Sequence, residues 1–401
     1  MILKKVAVWA IIFAAAGSGV GQKALAMDDH LAVSLIKFSR VLEELSANYV
    51  EEIEPGVLVN HAIHGMLTSL DPFCVYLESD RYTSFKDRTR GSFAGVGLTV
   101  QKRESDLVVV RVIENAPAFA AGMKTGDKII RIDGEATESL DLDACVSRLK
   151  GAAGTPVELA YIRQDLNSPI IIRITRDHVI LKSVTSAMLT RSGIAYLGVH
   201  RFQGNTMKGF IDALEDLESS DTGLQALVLD LRDNPGGHLE QAVEMADLFL
   251  EQGIIVTVKG RHKVQTRSFH ANTNDVRRNY PMAVLINQRS ASASEIVAGA
   301  LQDHGRAVIV GTTSFGKGSV QTLVRLDEDS GFKYTIARYY TPHNRTIEGN
   351  GVTPDIHTRA DVSVTGDLKQ ASGSLTGSKG NAAFTHDSQV LQAVHYLGKS
   401  R

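Results

Sequence analysis

Only two cysteines, Cys74 and Cys145, occur among the 401 residues. They fit no zinc pattern, and although they could pair in an oxidising compartment, nothing in their spacing demands it. His61 and His64 stand three apart but lack the glutamate and third ligand of a metalloprotease site. No metal and no cofactor is therefore predicted. Charge of one sign is missing too: 43 basic residues face 45 acidic ones, for a formal net charge of −2. That leaves no basic field for nucleic acid. Long apolar runs are also scarce, since the stretch from Val6 to Ala16 is too short to span a bilayer. There is no internal repeat.

What the N-terminus does have is a basic opening (Lys4, Lys5), that short apolar run, and the small-residue segment Ala24-Leu25-Ala26. Together they predict a secretory signal peptide, residues 1–26, and an exported protein, periplasmic or extracellular. An uncleaved amphipathic anchor is the plainer alternative. No cysteine near the site indicates a lipid anchor. Cleavage removes three lysines and no acid, moving the balance to −5 (40 basic, 45 acidic) in a mature chain of 375 residues. That length suggests two or three domains.

Residues 28–90 read as helical. Leu31, Leu35, Phe38, Val41, Leu42, Leu45 and Tyr49 recur at helical steps, and a second helix is expected from Val57 to Leu70, broken at Asp71-Pro72. From residue 91 to 178 short strands with one clear helix, Leu142 to Leu149, predict a small β-rich domain. Gly95 and Gly97 beside its first strand can form a backbone nest for a carboxylate, with Val96 and Leu98 on an edge that accepts an extended peptide. Gly-x-Gly alone is more often just a tight turn. Placed before Gly126-Asp127-x-Ile129-x-x-Ile132-x-Gly134, it resembles a PDZ domain, which captures peptide C-termini. From residue 179 to 361, strands alternate with helices, which argues for a layered α/β core. Residues 362–401 read as a mobile Gly/Ser/Thr-rich tail with a short helix from Val390 to Leu397.

Chemistry concentrates at two places. Ser290-Ala291-Ser292-Ala293-Ser294-Glu295 follows the buried strand Ala283 to Asn287 and opens a helix, so a nucleophile there meets helix N–H groups. Lys317 lies 25 positions after Ser292 (317 − 292), and a desolvated lysine amine can take a serine's proton. Structural readings compete: Ser292-x-x-Glu295 is also a capping box, and Lys317 could be a solvated strand residue. A nucleotide-binding P-loop is rejected, because Gly318 stands where Ser or Thr is needed and a strand, not a helix, follows Lys317. Arg232-Asp233-Asn234-Pro235-Gly236-Gly237 ends the most apolar strand. Its N–H groups, with that of Ala293, could form an oxyanion hole, or the segment is an ordinary turn.

In order along the chain, Gly65-Met66-Leu67-x-x-Leu70-Asp71-Pro72, the PDZ region, Leu229 to Gly237, Ser290 to Asp303, Phe315 to Gln321, and Tyr339 to Asp355 resemble the carboxyl-terminal processing peptidases, or tail-specific proteases. The resemblance implies an α+β multi-domain protein with a crotonase-like sheet in its catalytic core. It also implies Ser292 as nucleophile, Lys317 as general base, Gln321 as the residue orienting the lysine, and Gly236 or Gly237 with Ala293 as oxyanion hole. An acid at the position of Asp303 is functionally important in some members. Lys317 and Gln321, four apart on a strand, would share a face. The implied partners are protein substrates with exposed C-terminal tails, sometimes an adaptor protein, and further copies through the terminal helices. Departures are Phe73-Cys74 where the family often has His-Ser, His343-Asn344 where it often has Ser-Gly, and Lys150 for a frequent arginine. Two rivals remain: a non-catalytic PDZ scaffold, and an acyl-thioester enzyme that would leave Ser292 and Lys317 without a role.

Overall fold

The computed structural model describes residues 29–78, 91–164, 168–262, 266–272, 278–359 and 387–399, with residues 81–83, 85, 166, 264 and 384 between those runs. The expected signal peptide and most of the expected mobile tail lie outside the described residues. The chain divides into two units, residues 1–69 and 70–401.

In the first unit, helix α1 (Asp29–Asn48) is followed by α2 (Pro55–Thr68). Pro55 starts α2 with the right φ, and the Glu54 carboxylate accepts from Gly56 N–H at 2.8 Å. The apolar positions of α1 do recur at helical steps, yet Leu35, Ile36, Phe38, Val41 and Leu45 remain exposed.

The second unit opens with strand β1 (Val75–Glu78), inside the stretch expected to be helical up to residue 90. The helix ends at Thr68, before Asp71-Pro72, and Val75-Tyr76-Leu77 pairs far along the chain instead. The PDZ-like body then comprises β2 (Ser92–Gly95), β3 (Leu98–Arg103), β4 (Asp106–Val112), α3 (Pro117–Ala120), β5 (Lys128–Ile132), β6 (Glu135–Ala136), α4 (Leu142–Leu149), β7 (Pro156–Ile162), β8 (Ile170–Thr175) and β9 (Asp177–Ile180). Its main sheet runs β3-β4-β5-β7-β8, with β6 on β5, while β2 pairs with β9. Asp141 caps α4, accepting from Ala144 N–H at 2.7 Å. Leu107, Ile129, Ile132, Cys145 and Leu159 fill the space between α4 and the sheet.

The remaining elements are β10 (Val184–Met188), β11 (Ile194–Val199), α5 (Thr206–Glu218), β12 (Ala226–Asp230), α6 (Leu239–Asp247), β13 (Ile254–Gly260), β14 (Arg267–His270), β15 (Met282–Ile286), α7 (Ala293–Asp303), β16 (Val308–Gly311), β17 (Ser319–Arg325), β18 (Ser330–Tyr340), β19 (Ile356–His357) and α8 (Ser388–Lys399). One sheet has the order β10-β11-β12-β15-β16-β19, parallel from β11 onward. Every residue of β11, β12 and β15 is buried, as a parallel sheet covered on both faces requires. Helices α5, α6 and α7 pack one face through Phe210, Leu214, Met245 and Val297. Helix α8 covers the other through Val390, Leu391, Val394 and Leu397. Each fully buried leucine there stabilises the docking by roughly 1.5–3 kcal/mol. A buried ion pair reinforces it: Arg232, just past β12, reaches Asp230 at 2.6 Å and Asp387 at 2.8 Å. The second sheet is antiparallel, ordered β1-β18-β13-β14 with β17 on β18.

Candidate active site

The serine run lies beyond the C-terminal end of β15, beside the end of β12, where ligand crevices of open α/β sheets form. Its three serines have different fates. Ser290 is buried, donating to Leu231 O at 2.8 Å and accepting from Asn287 N–H at 2.9 Å. Ser294 is buried and donates to Asn234 O at 2.9 Å. Ser292 alone is partly exposed, and its backbone is bent to φ 57°, ψ −112°. A helix N-cap normally has an extended backbone. The bend costs on the order of 1–3 kcal/mol for a non-glycine residue. Capping a helix does not account for it, whereas lifting a hydroxyl out of a packed turn does.

Glu295 is the residue that joins the two halves of the site. It is fully buried. Its Oε1 accepts from Ser314 Oγ at 2.6 Å and from Gly316 N–H at 2.7 Å. Its Oε2 accepts from Ser292 N–H at 2.7 Å and from Lys317 N–H at 2.9 Å. One oxygen thus receives both backbone amides, so the nitrogens of Ser292 and Lys317 stand within 5.6 Å, the sum of 2.7 and 2.9 Å. Burial pushes the Glu295 carboxyl above the usual range, against the lowering effect of those four hydrogen bonds. The sequence offered Glu295 only as half of a capping box. A glutamate in the apolar run Glu295-Ile296-Val297-Ala298 without a nearby basic residue was the signal for a larger role.

Lys317 lies between β16 and β17, outside any strand, and its amine sits over the Phe73 ring, 4.6 Å from the centroid. Burial holds the lysine below its ordinary range, with Glu348, Asp71 and Glu295 pulling the other way. No hydrogen bond joins its amine to Ser292 among the described residues. Gln321 is on β17, but the strand begins only at Ser319, so Lys317 stands before it. The same-face argument therefore does not carry over unchanged. The two side chains meet at one residue instead: Gln321 Nε2 donates to Phe73 O at 2.7 Å, and Lys317 overlies the Phe73 ring.

At the end of β12, Gly236 presses on the serine turn. A Cβ there would stand 2.7 Å from Ala291 O and 2.9 Å from Ala293 N. Its own N–H is committed to Asn234 Oδ1 at 2.9 Å. The Gly237 and Ala293 N–H groups have no hydrogen-bond partner among the described residues. Gly237 must be glycine: at φ 152°, a Cβ would stand 1.8 Å from Phe202 O.

Asp303 is at the far end of α7, about 16 Å from Ser292 at 1.5 Å per residue. It is paired with Arg345 and accepts from His343 N–H at 2.8 Å. Burial alone would raise its carboxyl; hydrogen bonds from Thr341, His343 and Arg345, with the Arg345 charge, bring it below the usual range. In the PDZ-like body, Val96, Gly97 and Leu98 line a cavity of about 60 Å³ with Val146 and Leu149 of α4. Val96 N–H donates to Leu149 O at 3.3 Å, so that amide of the expected nest is occupied within the chain. Gly97 has φ 82° and a Cβ there would meet Ala116 Cβ at 2.2 Å. Gly95 bridges to Lys150 beside the cavity. Both cysteines are buried and free.

A strained, partly exposed serine, a half-buried lysine whose backbone N–H shares a Glu295 oxygen with the serine's, and a PDZ-like body in the same unit fit a serine-type peptidase with a PDZ domain. The comparisons agree: residues 193–358 match Peptidase family S41, residues 94–174 a PDZ domain, and residues 15–81 the Activating protease CtpB N-terminal domain. A carboxy-terminal-processing protease of Bartonella bacilliformis is 41% identical over 80% of this chain and 74% of its own. The carboxy-terminal processing protease CtpA of Bacillus subtilis is 31% identical, over 84% and 71% respectively. A solved putative S41 protease from Bacteroides fragilis has a TM-score of 0.50 at 14% identity, covering 88% of this chain and 92% of that one, a likeness of fold. The chain belongs to the carboxy-terminal processing protease family.

Proposed function

We propose that this chain is an exported endopeptidase that grips the C-terminal tail of a protein in its PDZ groove and cuts the backbone upstream through a Ser292/Lys317 dyad. Neutral Lys317 takes the Ser292 proton as Oγ attacks the scissile carbonyl. The oxyanion is held by the N–H groups of Ala293 and Gly237. As the C–N bond breaks, the Lys317 ammonium gives its proton to the leaving amine. Water then repeats the sequence on the acyl-enzyme, with Lys317 again taking and returning a proton. Ser292 is regenerated.

The observation that carries this reading is the shared Glu295 oxygen, which brings the backbones of Ser292 and Lys317 together beside a serine bent out of its turn. A cavity of about 60 Å³ at the groove's end suits a small apolar terminal side chain. The exposed apolar positions of α1 suit a second copy of the chain, since α8 is already buried on the sheet. Export rests on the basic, apolar and small-residue segments before Ala26.

The test is cleavage of a denatured protein with a free, small-residue C-terminus, products read by mass spectrometry. Wild type should release fragments and Ser292→Ala should not. Binding of the tail without turnover by wild type would instead identify a scaffold.

A further inference from the structure

We propose that Phe73 is a positioning residue for the base: its ring shields one side of the Lys317 amine from water, and its carbonyl orients the Gln321 side chain. This rests on the reading of Lys317 as general base. The lysine amine lies 4.6 Å from the ring centroid, and the Phe73 carbonyl accepts from Gln321 Nε2 at 2.7 Å. A primary amide whose NH₂ is held by a carbonyl keeps its Oε1 as the acceptor for a lysine proton. One residue thereby serves both side chains.

Its position is itself fixed. Asp71 Oδ1 accepts from Phe73 N–H at 2.8 Å and Cys74 N–H at 2.9 Å, closing the Pro72-Phe73 turn. The following strand, β1, pairs in register with β18, which also holds β17. Phe315 meets the ring edge-on at 6.5 Å between centroids and 65°. The turn is therefore tied to the sheet that carries Gln321 and leads away from Lys317.

The ring acts on the lysine in two opposing ways. Its face attracts the ammonium, which favours protonation, while its bulk excludes water, which disfavours it. Dehydration of a lysine is the larger of the two effects. The charged groups facing the amine, Glu348, Asp71 and Glu295, all favour protonation. The shield is what offsets them.

The test is the pH profile of kcat/KM for a tail peptide in wild type, Phe73→Leu, Phe73→Ala and Phe73→Gln, with Lys317→Ala as reference. Leucine keeps the apolar cover and should leave the acid limb within a few tenths of a pH unit of wild type. Alanine and glutamine admit water and should move it upward by about one unit, a loss of about tenfold at neutral pH. Glutamine carries the test if the alanine variant does not fold. Profiles of the water-admitting variants that superpose on wild type, with Lys317→Ala inactive, overturn the role of Phe73. An active Lys317→Ala overturns the dyad instead.

Discussion

Ser292 and Lys317 share a Glu295 oxygen through their backbone amides but are held by different means. The serine belongs to a turn whose neighbours are buried and bonded: Ser290 to Leu231, Ser294 to Asn234, and Glu295 to the Ser292 backbone N–H. The lysine comes from a segment between strands, anchored through its backbone to Glu295, with its amine on an aromatic face. In the proposed mechanism the nucleophile is thus prepared by backbone geometry and the base by its solvent environment. A turn held by many hydrogen bonds keeps its strain as long as Glu295 stays ionised to accept them. A base tuned by burial responds to every change that admits water or charge.

That contrast can be broken at either side. The largest effect belongs to Ser292→Ala, expected to lower kcat by about 10⁴–10⁶ with little change in stability, read from turnover and thermal unfolding. Next is Glu295→Gln, which cannot accept from all the donors that converge there. Orphaned amides cost roughly 1–3 kcal/mol each, and slackening the serine against the lysine should lower kcat by about 10². A Glu295→Gln variant as stable and as fast as wild type would separate the two halves. Gly237→Ala puts a methyl group against Phe202 O and should destabilise by roughly 2–4 kcal/mol in denaturant titration.

The smallest effect is expected for Asp303→Asn, with kcat within a few-fold of wild type. The Asp303 carboxyl titrates below its unfolded-state value. Its stabilising contribution is therefore present above about pH 4 and is lost as pH falls through the native value. The asparagine variant should lose that part of the pH dependence of stability. A large fall in kcat without it would give Asp303 a part in the chemistry.

The α/β core was legible because its strands are unbroken apolar runs: a buried parallel sheet leaves no other pattern for β12 or β15. Ser292 was legible because a serine at a strand-to-helix turn is a local arrangement. Phe73 was not, since it lies 244 positions before Lys317 and stood out only as a departure from the family's usual residue. Pairing of β1 with β18 brings them together, and long-range pairing leaves no mark in either segment alone. The same-face argument for Lys317 and Gln321 assumed that both lie on one strand, and β17 begins only at Ser319, after the lysine. Helix α8 was foreseen as a short element on a mobile tail. Residues Val390, Leu391, Val394 and Leu397 instead complete the cover of the sheet.

The rate at which a fluorophosphonate labels Ser292, followed by intact mass across pH, tests the dyad most directly. In wild type the rate should rise with pH as Lys317 loses its proton, with a midpoint below the ordinary lysine value of about 10.4. Lys317→Ala should label orders of magnitude more slowly and without that titration. Labelling of Lys317→Ala at the wild-type rate and with the wild-type pH dependence would contradict the assignment of Lys317 as the base.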